Sequence, residues 1–276
     1  MYKLIACDLD ETLLHRTTKK VPQANRDAIA KAREKGAKFV VATGRPFFTV
    51  QGTLQEIDQY QTPGCYSIVL NGAQVVDHTD GKALFTDGVD YKTVKALFEN
   101  AMRWDVGCHI YTDNEVYCFR CNEDEKDFLL GRMDVDYRDS LDIDFLKERP
   151  LTKILFVNTN QEYLRELEKV LRPYSSDMEI SYSSNRYLEF NKKGVTKGTA
   201  LIKLAQILGM DPKETIAIGD NYNDLPMILD AGLGVGVANS NPGIMEQCDF
   251  ITEKDCDDCA VFSPLKKNPR LCLSGC

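Results

Sequence analysis

IACDLDETLL, residues 5–14, is an apolar run that ends in two aspartates spaced by one residue, followed by Glu11 and Thr12. Three carboxylates in four positions repel one another, and each makes ionisation of the next more costly. A strand that ends this way calls for a cation. The strand period of two starts Asp8 and Asp10 off the same face.

Outward from this strand, apolar runs alternate with helical patterns. Residues 2–7 read as a buried strand. Pro22 opens a helix over 22–35 that Gly36 stops, the usual asymmetry of helix ends. A second strand over 39–42 ends at Thr43-Gly44-Arg45, and a helical stretch covers 50–57. A third strand over 67–70 is turned by Asn71-Gly72 into 73–76, a hairpin signal.

The middle of the chain differs. A helix over 89–103 precedes a hairpin of 109–112 with 116–119. A strand over 153–157, an amphipathic helix over 163–171 and a hairpin of 180–182 with 187–190 follow. The alternation then resumes with a helix over 196–208 and a strand over 215–218 that ends at Gly219-Asp220-Asn221. A helix over 223–231 and a strand over 233–237 come next. The expected fold class is α/β: a doubly wound, Rossmann-like core with a parallel sheet, made from residues 1–81 and 188–276. An α+β domain over 82–187 is inserted into it.

The chain has 276 residues, with 42 acidic against 34 basic side chains and a net charge of -8. That balance argues against nucleic acid as a partner, since such proteins present a basic face. It leaves room for a small anionic ligand held by a few local cations. No run approaches the roughly 20 apolar residues of a membrane span, and the reading is a cytoplasmic protein. In a reducing compartment the ten cysteines are expected mostly as thiols. Cys256 and Cys259, with Cys272 and Cys276, are read as a Cys-rich tail rather than a zinc site. Cys118 and Cys121 are placed within one strand, where alternation sends them to opposite faces and disfavours shared ligation.

In open parallel sheets, ligands bind beyond the carboxyl ends of the strands. Four polar clusters fall at such ends or at helix starts: Asp8-Leu9-Asp10, Thr43-Gly44-Arg45, Lys197, and the stretch from Gly219 to Asp224. Each alone is commonplace, as an Asp at a strand end is often a turn former. Together they bring Asp8, Asp10, Asp220 and Asp224 to one crevice. A hard divalent cation such as Mg2+, which prefers oxygen ligands and substrate phosphate, balances them. Thr43 offers donors for a phosphate, and Lys197 adds a point charge at a helix N-terminus. The pieces form a site for phosphoryl transfer through a carboxylate nucleophile.

DLDETLL, Thr43 in VATGR, Lys197 in GVTKGTAL and GDNYNDLPM resemble, in order, the four motifs of the haloacid dehalogenase-like phosphatases. The match is nearest the Cof-type subgroup, which shares the chain length, the LNGA stretch at 70–73 and a large cap between the second and third motifs. The resemblance implies Asp8 as nucleophile and magnesium ligand. It implies Asp10 as general acid and then base, with its carbonyl on the metal. Thr43, the Gly44 amide and the Leu9 amide would hold the phosphoryl group, and Lys197 would bridge it to Asp8. Asp220 would ligate magnesium, Asp224 would support the metal, and Asn223 would touch phosphate. Arg45 and Asn71 would contact substrate.

The implied activity is hydrolysis of a small phosphorylated metabolite, typically a sugar phosphate, with the cap supplying specificity. The alternatives are a phosphotransferase or phosphomutase on the same aspartyl-phosphate, or a silent phosphometabolite-binding regulator. One departure stands out: glycine is common in the family where this chain has Glu11, which is expected to point to solvent. Gly232-x-Gly234-x-Gly236 lacks the helix start of a dinucleotide motif and reads as a closely packed strand.

Overall fold

The computed structural model describes residues 2–258. They form two compact units, one of residues up to Phe85 together with those from Thr196 onward, the other of Thr86–Val195.

The first unit begins with β1 (Leu4–Cys7), α1 (Gln23–Glu34), β2 (Lys38–Ala42), α2 (Gln51–Glu56), β3 (Tyr66–Val69), β4 (Gln74–Asp77) and β5 (Ala83–Thr86). The second unit holds α3 (Tyr91–Ala101), β6 (Gly107–Thr112), β7 (Val116–Phe119), α4 (Glu123–Leu129), β8 (Asp136–Arg138), β9 (Leu151–Val157), α5 (Gln161–Leu171), β10 (Met178–Ser183) and β11 (Tyr187–Lys192). The first unit is completed by α6 (Lys197–Ile207), β12 (Thr215–Gly219), α7 (Leu225–Asp230), β13 (Leu233–Gly236), α8 (Pro242–Met245) and β14 (Phe250–Ile251).

The first unit's sheet runs β14-β13-β12-β1-β2-β3-β4-β5. From β14 to β3 the neighbours are parallel, and β4 returns antiparallel to β3. All four residues of β1 are buried, as expected of a strand covered on both faces. Alternation sends Ile5 and Cys7 into one apolar cluster with Ile29 of α1, and Leu4 and Ala6 into another with Leu201 and Leu204 of α6. α6 starts where Thr196 accepts from the Thr199 amide and Thr199 reciprocates, a capping box. Strand order reverses at β1, because the chain leaves it toward β2 and returns on its other side as β12. That reversal is where an open α/β sheet offers a crevice at its carboxyl edge.

The second unit has a sheet in the order β10-β11-β9-β6-β7-β8. One face packs Ile110, Phe119 and Phe156 against Leu97 and Phe98 of α3 and Leu164 and Leu167 of α5. The opposite face carries His109 and Cys118, which are register partners across β6 and β7.

Three sequence expectations are corrected. The insert does not span 82–187, because β5 joins the first sheet and β11 pairs with both β9 and β10. The connection of β3 to β4 is four residues, 70–73, with Leu70, Asn71 and Gly72 all at positive φ, rather than a two-residue Asn-Gly turn. Cys118 ends up beside Cys121, because Cys121 lies past the end of β7 and Arg120 turns back at φ 48. Gly232-x-Gly234-x-Gly236 runs through β13, between β12 and β14. Cys259, Cys272 and Cys276 lie outside the described residues. No helix among the described residues is long and apolar enough to cross a membrane.

Candidate active site

Asp8 follows β1 directly, and its amide donates to the Ile218 carbonyl of β12. Asp220 follows β12, four residues before Asp224. Lys197 is the first residue of α6, and its ammonium is wholly buried. These three positions converge. Lys197 Nζ lies 2.6 Å from Asp8 Oδ1 and 2.6 Å from Asp224 Oδ1. Oxygens of Asp8, Asp220 and Asp224 all lie within 4.8 Å of one another.

The charges do not balance within this cluster. Burial pushes the Asp8 carboxyl up to about 8; Lys197 pulls it down, while Asp224 and Asp220 add to the rise. Burial likewise pushes Asp220 to about 6, against the hydrogen bond it accepts from Thr12. Burial opposes the charge on Lys197, but Asp8 and Asp224 outweigh it and hold the ammonium well above the usual lysine range. Lys197 is therefore charged, and one cation answers three buried acids.

Asp224 is fixed from both ends. Its Oδ2 accepts from the amides of Asp220 and Asn221 at 3.0 and 3.1 Å, and its Oδ1 accepts from Lys197. Gly219 is required for this, since a Cβ there would sit 2.4 Å from the Asp224 Cβ. With both oxygens engaged, Asp224 shapes the turn and orients Lys197.

Asp10 does not join the other carboxylates. Arg45 grips it with both Nε and Nη2, the Nε contact being 2.8 Å. Expected as a substrate contact, Arg45 is thus the partner of Asp10. A sequence cannot show this, because it depends on where a long side chain reaches. Glu11 points to solvent as expected, and it sits at φ 62, in the left-handed region that favours glycine. Its carbonyl accepts from Asn239 Nδ2 at 2.7 Å.

Thr43 is buried just past β2, with its amide on the Ile68 carbonyl and its Oγ1 accepting from the Arg45 amide at 3.1 Å. Gly44 lets Asn71 approach; a Cβ would lie 3.1 Å from Asn71 Oδ1. Asn71 in turn accepts from Asn223 Nδ2 at 3.1 Å, which links the LNGA stretch to the fourth motif. Leu9 is buried in the turn after Asp8, and its carbonyl accepts from the Leu14 amide.

Sequence reasoning missed Thr12. It is fully buried and donates to Asp220 Oδ1 at 2.6 Å, which fixes that carboxylate's orientation. The available signal was a hydroxyl two residues beyond Asp10, in the same turn.

A family model described as haloacid dehalogenase-like hydrolase matches residues 5–262. YxeH of Bacillus subtilis is 31% identical over 264 residues, covering 92% of this chain and 94% of its own. The 5-amino-6-(5-phospho-D-ribitylamino)uracil phosphatase YcsE of the same organism is 29% identical over 260 residues, covering 93% and 92%. The crystal structure of a haloacid dehalogenase-like hydrolase from Bacteroides thetaiotaomicron superposes with a TM-score of 0.82 at 27% identity, covering 97% and 99%. With strand order, crevice and family model in agreement over almost the whole chain, the protein belongs to the haloacid dehalogenase-like hydrolases.

Proposed function

We propose that the protein is a magnesium-dependent phosphatase that hydrolyses small phosphate monoesters, sugar phosphates foremost, through an aspartyl-phosphate on Asp8. The carrying observation is the buried trio of Asp8, Lys197 and Asp224 beside Asp220, at the carboxyl ends of β1 and β12.

The residues fit a hard divalent cation. The donors are all oxygens, and oxygens of three buried carboxylates, Asp8, Asp220 and Asp224, lie within 4.8 Å of one another beside a single ammonium. Asp8, Asp220 and the Asp10 carbonyl would hold the ion, with Asp224 supporting from behind. Bound there, it would supply charge neutralisation at the phosphoryl oxygens.

The chain's own groups carry the remaining steps. Asp8 attacks phosphorus, and the bond to the leaving oxygen breaks as Asp10 protonates it. Asp10 then takes a proton from water, whose oxygen attacks the same phosphorus. Inorganic phosphate leaves and Asp8 is restored. Thr43 and the amides of Gly44 and Leu9 are assigned to phosphoryl oxygens, and Lys197 offsets charge on Asp8. Arg45 holds Asp10, and a substrate phosphate would offer the guanidinium a competing anion. Asn71 and Asn223, already joined, are assigned to the substrate side. Substrate selection is assigned to the Thr86–Val195 unit on the family resemblance.

The test is turnover of p-nitrophenyl phosphate and a panel of sugar phosphates with magnesium, followed by rapid quench with labelled substrate. Label on the peptide that contains Asp8 is expected. Turnover without such label would rule out the covalent step.

A further inference from the structure

The second unit contains a side-chain cluster that the phosphatase chemistry does not use. His109 on β6, Cys118 on β7 and Cys121 just beyond β7 each bring a ligand atom within 4.8 Å of the others. His109 and Cys118 face the same way because they are register partners. Cys121 joins them because the chain reverses at Arg120. Both cysteines are free thiols.

A second, independent observation points to a ligand. The His109 ring is completely buried, and neither Nδ1 nor Nε2 makes a hydrogen bond. Its Nε2 stands 3.4 Å from Glu125 Oε1, near but not bonded. Buried polar groups are rarely left so. Burial holds this imidazole down to about 3, with Lys153 adding to the effect. It is therefore neutral, the form that binds metals.

We propose that His109, Cys118 and Cys121 form a site for a thiophilic divalent cation, zinc by choice of ligands, within the second unit. Two sulfurs and one imidazole select a borderline-soft ion over magnesium. A tetrahedral zinc with bonds of about 2.0–2.3 Å sets its ligand atoms roughly 3.5–3.8 Å apart. The observed spread therefore needs side-chain adjustment of only about an ångström. Glu125 gives the imidazole the carboxylate neighbour that metal-bound histidines commonly have. It is held there by Tyr187 at 2.6 Å and Arg186 at 2.9 Å. Zinc binds cysteine as the thiolate, so an entering ion would displace the thiol protons of Cys118 and Cys121. A cavity of about 190 Å³ borders both thiols, with Tyr137 and Asp139 among its other walls.

The experiment titrates the metal-stripped full chain with Co2+ under reducing conditions, then displaces it with Zn2+. A thiolate-to-cobalt charge-transfer band that saturates at one equivalent and vanishes with zinc is expected. The ligands assigned at the Asp8 site are all oxygens, so that site is silent in this band. Cys121→Ser, at a partly exposed position, should lose the band while its far-UV circular dichroism stays unchanged. Cys256→Ser/Cys259→Ser should keep it. The proposal fails if the wild type shows no band, or if the band survives Cys121→Ser. It also fails if the band is lost in the Cys256→Ser/Cys259→Ser protein, or if zinc does not displace the cobalt.

Discussion

Lys197→Met is the most informative single change, because it removes the one cation from a buried acidic cluster while keeping side-chain volume. Lys197 Nζ contacts Asp8 and Asp224 at 2.6 Å each, and all three groups are buried. Breaking a buried ion pair by deleting one partner costs about 3–5 kcal/mol. Here the lower end applies near neutrality. Burial already lifts Asp8 to about 8 with Lys197 present, so a proton can replace the lost cation. A cost of about 3 kcal/mol lowers the melting temperature by roughly 6–12 °C in a protein of this size. The sign with pH follows: the proton becomes unavailable as pH rises, so the deficit should widen from pH 6 to pH 9.

The assay is thermal unfolding by far-UV circular dichroism in the presence of chelator, across that pH range. It is repeated in an Asp8→Asn background, where one of the two anions facing Lys197 is already gone. Lys197→Met should then cost less, with a coupling of about 1–2 kcal/mol between the two sites. Costs that add to within about 0.5 kcal/mol would refute electrostatic coupling in this crevice. Turnover with magnesium should fall about 10²–10³-fold in Lys197→Met, the usual effect of deleting one preorganised charge-stabilising group.

Asp8→Asn should abolish turnover, while Asp10→Asn should slow it severely and leave magnesium binding intact by titration calorimetry; wild-type rates from Asp8→Asn would end the assignment. EDTA should remove activity and Mg2+ restore it, and full activity after chelation would contradict the metal assignment. Glu11→Val should destabilise by about 1–2 kcal/mol in urea, because a β-branched residue is poorly suited to φ 62, whereas Glu11→Gly should be tolerated or stabilising. His78 is buried between Ser67 and the Gln59 carbonyl, each at 2.8 Å, and burial lowers its proton affinity. The unfolded chain therefore binds the extra proton, and stability should drop as pH falls below about 6.5, by at most about 1.4 kcal/mol per pH unit. His78→Gln should flatten that slope, and an unchanged slope would disprove the link.

The central strand and its acidic end were legible because a doubly covered strand shows as an unbroken apolar run, and Asp8 breaks it. Lys197 was legible because Thr196 and Gly209 bracket a helix in the sequence itself. What stayed hidden depends on reach or on backbone angle. The grip of Arg45 on Asp10 is set by a long side chain's rotamer. The meeting of Cys118 with Cys121 turns on a positive φ at Arg120, a residue type that gives no warning of it. α4 was missed since Glu123-Asp124-Glu125-Lys126-Asp127 has no apolar stripe, although Asn122 caps it by accepting from the Glu125 amide. Glu11 shows the reverse: the sequence flagged it as a departure from glycine, and the backbone supplied the reason.

The position of β1 also bears on how the chain is made. Its two neighbours come from opposite ends of the sequence, β2 soon after it and β12 only much later. Lys197 follows Asp8 by 189 residues, which at common elongation rates is roughly 10–40 s of synthesis. Throughout that interval β1 has one side of its backbone unpaired, an edge that invites wrong pairing until β12 emerges. The Thr86–Val195 unit, complete in a single stretch, can fold on the ribosome in the meantime. The acidic crevice is complete only once Asp220 and Asp224 have followed β12, and a chain that ends before Lys197 lacks the cation that answers them.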